Sequence, residues 1–155
     1  MKKIFGLFII FTLLLWGCSS YRSIVVEDLN ISSFRLKSAS KIDLGLKASV
    51  ENPTKSTFEL VDVEGVVNRD NMPFANISLL EDSVIPPFYE GEIPIKCRVD
   101  LIDPMAVLVM GLDIKSWNIS DFNLNIKATV KKGAIKKSFK MNNIPLDKLV
   151  KKFKL

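Results

Sequence analysis

Two cysteine thiols, Cys18 and Cys97, are the most reactive side chains in this sequence. The chain contains no histidine, so it lacks the usual general base of serine and cysteine hydrolases and the commonest metal ligand. The adjacent acids Glu81 and Asp82 fall in a predicted loop, where carboxylates are normally solvated. No glycine-rich phosphate loop and no metal-ligand spacing is present. The sequence therefore predicts a protein that is not an enzyme, with no catalytic residue, metal site or cofactor.

Cys97 is predicted to be a buried and unreactive thiol. It alternates with Ile95 and Val99 on the apolar face of a predicted strand. A thiol in apolar surroundings resists ionisation and packs as a small hydrophobic group.

Cys18 stands at the end of an apolar N-terminal run. Lys2 and Lys3 precede this run, which covers residues 4–16 and is shorter than the roughly 20 residues that span a bilayer core. A basic start, a short apolar stretch and small residues at its end are typical of a secretory signal. The segment Leu15-Trp16-Gly17-Cys18 resembles the lipobox of bacterial lipoproteins, although Trp16 departs from the usual small or aliphatic residue.

The lipobox resemblance implies signal cleavage between Gly17 and Cys18 and attachment of diacylglycerol to the Cys18 sulfur. Burial of the acyl chains, at about 0.8 kcal/mol per CH₂, would anchor the chain in a lipid bilayer. A conventional signal peptide cleaved near Gly17 and an uncleaved anchor are the alternatives. Ser19 is not the aspartate that retains enteric lipoproteins in the inner membrane. In a Gram-negative host we therefore expect the periplasmic face of the outer membrane.

Apolar and polar residues alternate along much of the remaining chain, as in half-buried strands. Residues 103–112 form the one predicted helix, with Asp103 as N-cap and Pro104 in the first turn. Many short strands with one helix predict an antiparallel β-sandwich. The clearest strands are predicted at residues 42–50, 93–101, 122–130 and 135–141, and weaker ones at 24–29, 31–36, 58–67 and 74–80.

One predicted strand ends in Asn52-Pro53 and leads into the apolar segment 58–67. This pattern resembles the water-stress and late embryogenesis abundant type 2 domain family, over roughly residues 25–146. The resemblance implies an immunoglobulin- or fibronectin-like antiparallel β-sandwich, and bacterial members of the family are often small lipoproteins. Pro53 has no N–H and ends sheet pairing, while Asn52 can bond to the turn backbone. Both residues are therefore predicted to form a structural turn motif.

The C-terminal segment combines lysines with Leu146, Leu149, Val150 and Phe153 at helical spacing. Our favoured interpretation is a terminal strand or short helix that closes the sandwich. The alternative is a contact with anionic lipid or an acidic envelope partner. The predicted organisation is a signal peptide at 1–17, a lipidated N-terminal tether at 18–23, the sandwich at 24–147 and a basic tail at 148–155.

These features predict a membrane-anchored envelope lipoprotein without enzymatic activity, whose sandwich is a binding or structural module. Its partners would be the bilayer that holds acylated Cys18 and an envelope protein or anionic lipid. The 22 basic and 17 acidic residues are interspersed until the C-terminal third, so nucleic acid is not a predicted partner. The family resemblance implies an alternative function, protection of membranes or proteins during desiccation. Survival of a deletion strain after drying would separate the two.

Overall fold

The structure is a computed structural model that describes residues 20–111 and 117–153. Most of these residues lie in antiparallel strands, joined by two short helices and two 3₁₀ turns. The strands are β1 (Val25–Leu36), β2 (Lys41–Asn52), β3 (Phe58–Arg69), β4 (Met72–Leu79), β5 (Ser83–Ile85), β6 (Tyr89–Leu101), β7 (Phe122–Lys132) and β8 (Ile135–Pro145). The helices are α1 (Pro104–Met110) and α2 (Leu146–Phe153), and the 3₁₀ turns are Ser20–Ser23 and Ile119–Asp121.

The strands follow the predicted positions closely, with two differences. The predicted strands at 24–29 and 31–36 form one strand, β1, because shifts of register absorb the breaks in its alternation. The three-residue strand β5 was not predicted, since so short a segment cannot establish a period of two.

Neighbouring strands in the sheet all pair antiparallel, in the order β1-β2-β6-β4-β3-β7-β8, with β5 beside β3. The sheet folds over, so that its two halves face each other. Val50 of β2 and Ile93 of β6 belong to the same buried cluster as Phe58 of β3, and Val130 of β7 packs against it. The predicted antiparallel β-sandwich is therefore confirmed, and the described residues contain a second short helix, α2, besides the predicted one.

Gly65 lies in a regularly paired part of β3, opposite Ile77 on β4 and Ile126 on β7. The register shifts of β3 fall on either side of it, between Leu60 and Asp62 and between Val67 and Asn68. A Cβ atom at Gly65 would lie 3.1 Å from Cβ of Ile77 on β4. Glycine is present because β4 packs closely here, which is a common reason for glycine in a strand.

The two ends of the sandwich differ. At the end that we call the Tyr21 end, the Tyr21 ring lies 5.5 Å from the Phe58 ring, and its hydroxyl donates to the Ile135 carbonyl at 3.1 Å. The predicted tether 18–23 is thus part of the fold from Tyr21 onward. β1 then runs 12 residues, or roughly 35 Å, towards the other end, which we call the α1 end. Helix α2 begins at Leu146, so it crosses the predicted boundary between sandwich and basic tail.

Candidate functional site

A cavity of about 570 Å³ opens at the α1 end, between the two halves of the sandwich. Ligand-binding cavities in proteins have volumes of roughly 300–1,000 Å³. Strands β1, β2, β3, β4 and β6, helix α1 and the segment before β7 all contribute to its wall. The lining residues are Phe34, Leu36, Ala39, Ile42, Leu44, Val67, Phe74, Ala75, Val99, Leu101, Pro104, Met105, Val107, Leu108 and Trp117.

Every side chain of this lining is apolar, and strand alternation explains why. Leu44 and Ile42 on β2 lie opposite Cys97 and Val99 on β6, so these pairs share the inner face of the sheet. The intervening Asp43 and Arg98 form an ion pair on the outer face, with Oδ1 and Nε 2.9 Å apart. The charges of Asp43 and Arg98 therefore point away from the cavity, and the described part of its lining offers no group for acid–base or nucleophilic chemistry.

Helix α1 forms one side of the cavity mouth, and its caps fix its position. Asp103 accepts a hydrogen bond from the Met105 backbone N–H at 3.0 Å, and the Gly111 N–H donates to the Leu108 carbonyl at 3.2 Å. The predicted N-cap and proline start are confirmed; Leu112, the last predicted residue, lies outside the described residues. Leu108 lines the mouth of the cavity and is 56% exposed, whereas its neighbour Val109 is 87% exposed and does not line it.

An aromatic cluster holds Trp117 in the wall. The Trp117 ring stacks on Phe122 with ring centroids 6.0 Å apart and meets the edge of Phe74 at the same distance. Its indole N–H donates to the Gly111 carbonyl at 2.9 Å, which satisfies the only polar atom of the side chain. Sequence analysis did not identify Trp117, because it belongs to no periodic pattern.

The cavity is open to solvent on the β1 side. Phe34 and Leu36 lie on the inner face of β1 but are more than half exposed, Leu36 at 64%. β1 is an edge strand, so the sheet does not continue beyond these side chains. Exposed apolar surface joined to a cavity is typical of a binding site.

The predicted turn motif forms a structural corner at the opposite end. Asn52 is 1% exposed, and its amide nitrogen donates to the carbonyls of Ser56 at 2.9 Å and Pro86 at 2.6 Å. Its amide oxygen accepts from the N–H and hydroxyl of Thr54 at 3.1 and 2.7 Å. Asn52 thus joins the β2–β3 turn to the loop before β6, and Pro53 follows directly after the last residue of β2.

Among the described residues, none of the remaining predicted ones lines the cavity. Gly17 and Cys18 lie outside the described residues. Cys97 is buried, and this burial raises the pKa of its thiol. Glu81 forms an ion pair with Lys96 at 2.7 Å on the surface. Within 20–111 and 117–153, no cluster of three acidic or cysteine residues could hold a metal ion.

No helix among the described residues is both long and apolar enough to cross a bilayer. Seven lysines of the C-terminal third form two separate groups, whereas Lys127 and Lys140 lie opposite each other in the middle of β7 and β8. Lys131, Lys132, Lys136 and Lys137 flank the β7–β8 hairpin at the Tyr21 end, whereas Lys148, Lys151 and Lys152 lie on α2.

No known family model and no curated protein matches the sequence. Among solved structures, a protein from Archaeoglobus fulgidus is similar, with a TM-score of 0.51 and 10% identity over 77% of this chain and 98% of that one. The GAE domain of yeast GGA1 has a TM-score of 0.34 and 15% identity, covering 77% and 92%. The GAE domain of GGA2p from Saccharomyces cerevisiae has a TM-score of 0.30 and 10% identity, covering 77% and 95%.

The likeness to the archaeal protein is one of fold alone, and the two yeast domains are too distant to add to it. The resemblance to late embryogenesis abundant type 2 domains stays a prediction.

Proposed function

We propose that this protein is a non-enzymatic envelope lipoprotein, anchored through Cys18, whose β-sandwich binds the acyl chain of a lipid in the cavity at its α1 end. The observation that carries the proposal is the uniformly apolar lining of that 570 Å³ cavity.

The anchor is supported by the sequence at the end of the signal segment. The lipobox-like segment ending in Gly17-Cys18 leaves Cys18 as the acylated first residue. Metabolic labelling with palmitate should therefore label the protein and should fail for Cys18→Ser. Cys97→Ser is the matched control and should label normally, because Cys97 is buried in the fold. Label that persists on Cys18→Ser would contradict the anchor.

The chemical class of the ligand follows from the cavity wall. Binding of a hydrocarbon chain in an apolar cavity is favourable, by about 25 cal/mol for each Å² of apolar surface that is removed from water. A polar or charged ligand would lose its hydration there without a compensating hydrogen bond. An acyl chain can enter while its polar headgroup stays in solvent at the open β1 side, beside Phe34 and Leu36.

Two neighbouring residues of α1 provide a direct test. Leu108→Lys introduces a charge into the cavity lining, whereas Val109→Lys places the same charge on the exposed face of the same helix. The first variant should bind a fluorescent fatty acid at least tenfold more weakly than the parent protein, because the bound chain would lose its contact with Leu108 and would lie against a charged side chain at the cavity mouth. The second variant should bind it normally. Equal binding by both variants, with folding intact, would refute the cavity as the ligand site.

A further inference from the structure

The Tyr21 end of the sandwich carries an exposed surface that combines apolar and basic side chains. Three connections meet there: the β2–β3 turn, the β5–β6 loop and the β7–β8 hairpin. Phe88 in the β5–β6 loop is 75% exposed, and Ile135 at the start of β8 is 65% exposed. Lys55, Lys132 and Lys136 belong to the same end, on the turn and the hairpin.

Contacts between the three connections hold them together as one surface. The Phe88 N–H donates to the Thr54 carbonyl at 2.9 Å, which joins the loop to the β2–β3 turn. The Lys132 ammonium lies 5.8 Å from the centre of the Phe58 ring, just after that turn. The backbone φ angle of Phe88 is 51°, which lies in the left-handed region that is unfavourable for an aromatic residue. The backbone thus holds an apolar ring in solvent at a conformational cost.

The N-terminal chain enters the fold at this surface. Tyr21 donates to the Ile135 carbonyl at 3.1 Å, and the Lys137 ammonium lies 5.5 Å above the Tyr21 ring. Only Ser19 and Ser20 separate Tyr21 from Cys18 in the sequence. The three Cα–Cα steps from Cys18 to Tyr21 span at most about 11 Å when fully extended, so an acylated Cys18 would keep this end of the sandwich next to the bilayer.

The charges of this end are unevenly distributed. Lys131 pairs with Glu59 at 3.0 Å, which neutralises both groups. Glu51 on β2 and Glu90 on β6 lie opposite each other. The side of this end that β2 and β6 form is therefore acidic. The hairpin side is basic.

We infer that this surface of Phe88, Ile135 and the lysines of the β7–β8 hairpin docks onto anionic headgroups of the bilayer that holds the Cys18 anchor. The inference rests on the anchor in the proposed function. Lysines attract anionic lipid, and the exposed apolar side chains can enter the interface. Docking fixes the orientation of the domain, with the cavity at the opposite end, roughly 35 Å along β1 and facing away from the membrane.

Site-specific labelling of the processed full-length protein tests this orientation. Phe88→Cys and Val109→Cys place a thiol on exposed positions at the two ends of the sandwich, and an aromatic fluorophore at position 88 takes the place of the Phe88 ring. Each variant should take up one fluorophore, since Cys97 is buried and Cys18 is acylated. In vesicles of phosphatidylcholine and phosphatidylglycerol that contain a nitroxide-labelled lipid, the label at position 88 should be quenched and the label at 109 should not.

Charge reversals test the role of the hairpin lysines. In the labelled Phe88→Cys protein, Lys132→Glu with Lys136→Glu should abolish most of the quenching. The matched pair Lys148→Glu with Lys151→Glu, on α2, should leave it unchanged. Equal quenching at positions 88 and 109 in singly labelled protein would overturn the orientation while the anchor stands. Uptake of a second label at Cys18 would contradict the anchor and the inference with it.

Discussion

The side-chain amide of Asn52 donates to the main-chain carbonyl of Pro86 at 2.6 Å, although 34 residues separate them. This hydrogen bond joins the turn after β2 to the loop before β6. Together with the bonds to Ser56 and Thr54, it uses both donors and the oxygen of the buried amide. Asn52 is therefore a structural residue, as the sequence pattern Asn52-Pro53 predicts.

Asn52→Ala should lower the free energy of unfolding by about 2–5 kcal/mol, because each buried partner left unpaired costs about 1–3 kcal/mol. Urea unfolding of the purified protein measures this change. Asn76→Ala, at an exposed position on β4, is the matched control and should alter stability by less than about 0.5 kcal/mol. Similar effects of both substitutions would show that the Asn52 hydrogen bonds contribute little.

The Asp43–Arg98 pair should make stability depend on pH. The hydrogen bond from Arg98 lowers the pKa of Asp43, and the charges of Arg98 and Lys37 act in the same direction. A carboxyl whose pKa is lower in the folded state stabilises the protein above its ordinary pKa of about 3.9. That contribution is lost as the pH falls through the lowered value.

Asp43→Asn should therefore be less stable than the parent protein at neutral pH, and the difference should shrink in acid. Unfolding free energies measured across this range test the prediction. In an Arg98→Met background the same substitution should lose most of its pH-dependent effect, since only Lys37 would then lower the pKa of Asp43. A difference between parent and Asp43→Asn that stays constant down to strongly acidic pH would contradict the prediction.

Substitutions in helix α2 can distinguish the two interpretations of the basic C-terminal segment. It contacts β1, β7, β8 and the 3₁₀ turn Ile119–Asp121, and Leu149 on it is half-buried. Leu149→Ala should lower the free energy of unfolding by about 1–2 kcal/mol, less than for a fully buried leucine. Lys151→Glu should change it by less than about 0.5 kcal/mol, since Lys151 is exposed. Unchanged stability of Leu149→Ala, with weaker binding to anionic vesicles, would favour the partner-contact interpretation.

Much of the fold could be predicted because alternation is a local property of the sequence. Ile42 and Leu44 identify the inner face of β2, and Asp103 and Pro104 identify the start of α1. The cavity could not be predicted, since it depends on the space left between distant strands. Leu44 and Val67 line the same cavity, yet nothing in their local sequence indicates that they lie across it from each other.

The positions of the C-terminal lysines could not be predicted from local sequence either. The sequence presents the lysines of residues 131–152 as one group, whereas β8 carries them to two ends of the sandwich. Tyr21 and Ile135 are 114 residues apart, and only the sheet order brings the hairpin next to the N-terminal chain. Non-local strand pairing of this kind leaves no periodic signal.

Native mass spectrometry of the protein extracted from bacterial membranes tests the central claim most directly. We expect the mass of a chain that begins at Cys18, increased by covalently attached lipid and by one non-covalently bound acyl lipid. Leu108→Lys should retain the covalent lipid and lose the bound one, while Val109→Lys should retain both. A mature chain without covalent lipid would contradict the anchor, and a bound lipid that persists equally in Leu108→Lys would contradict the cavity as its site.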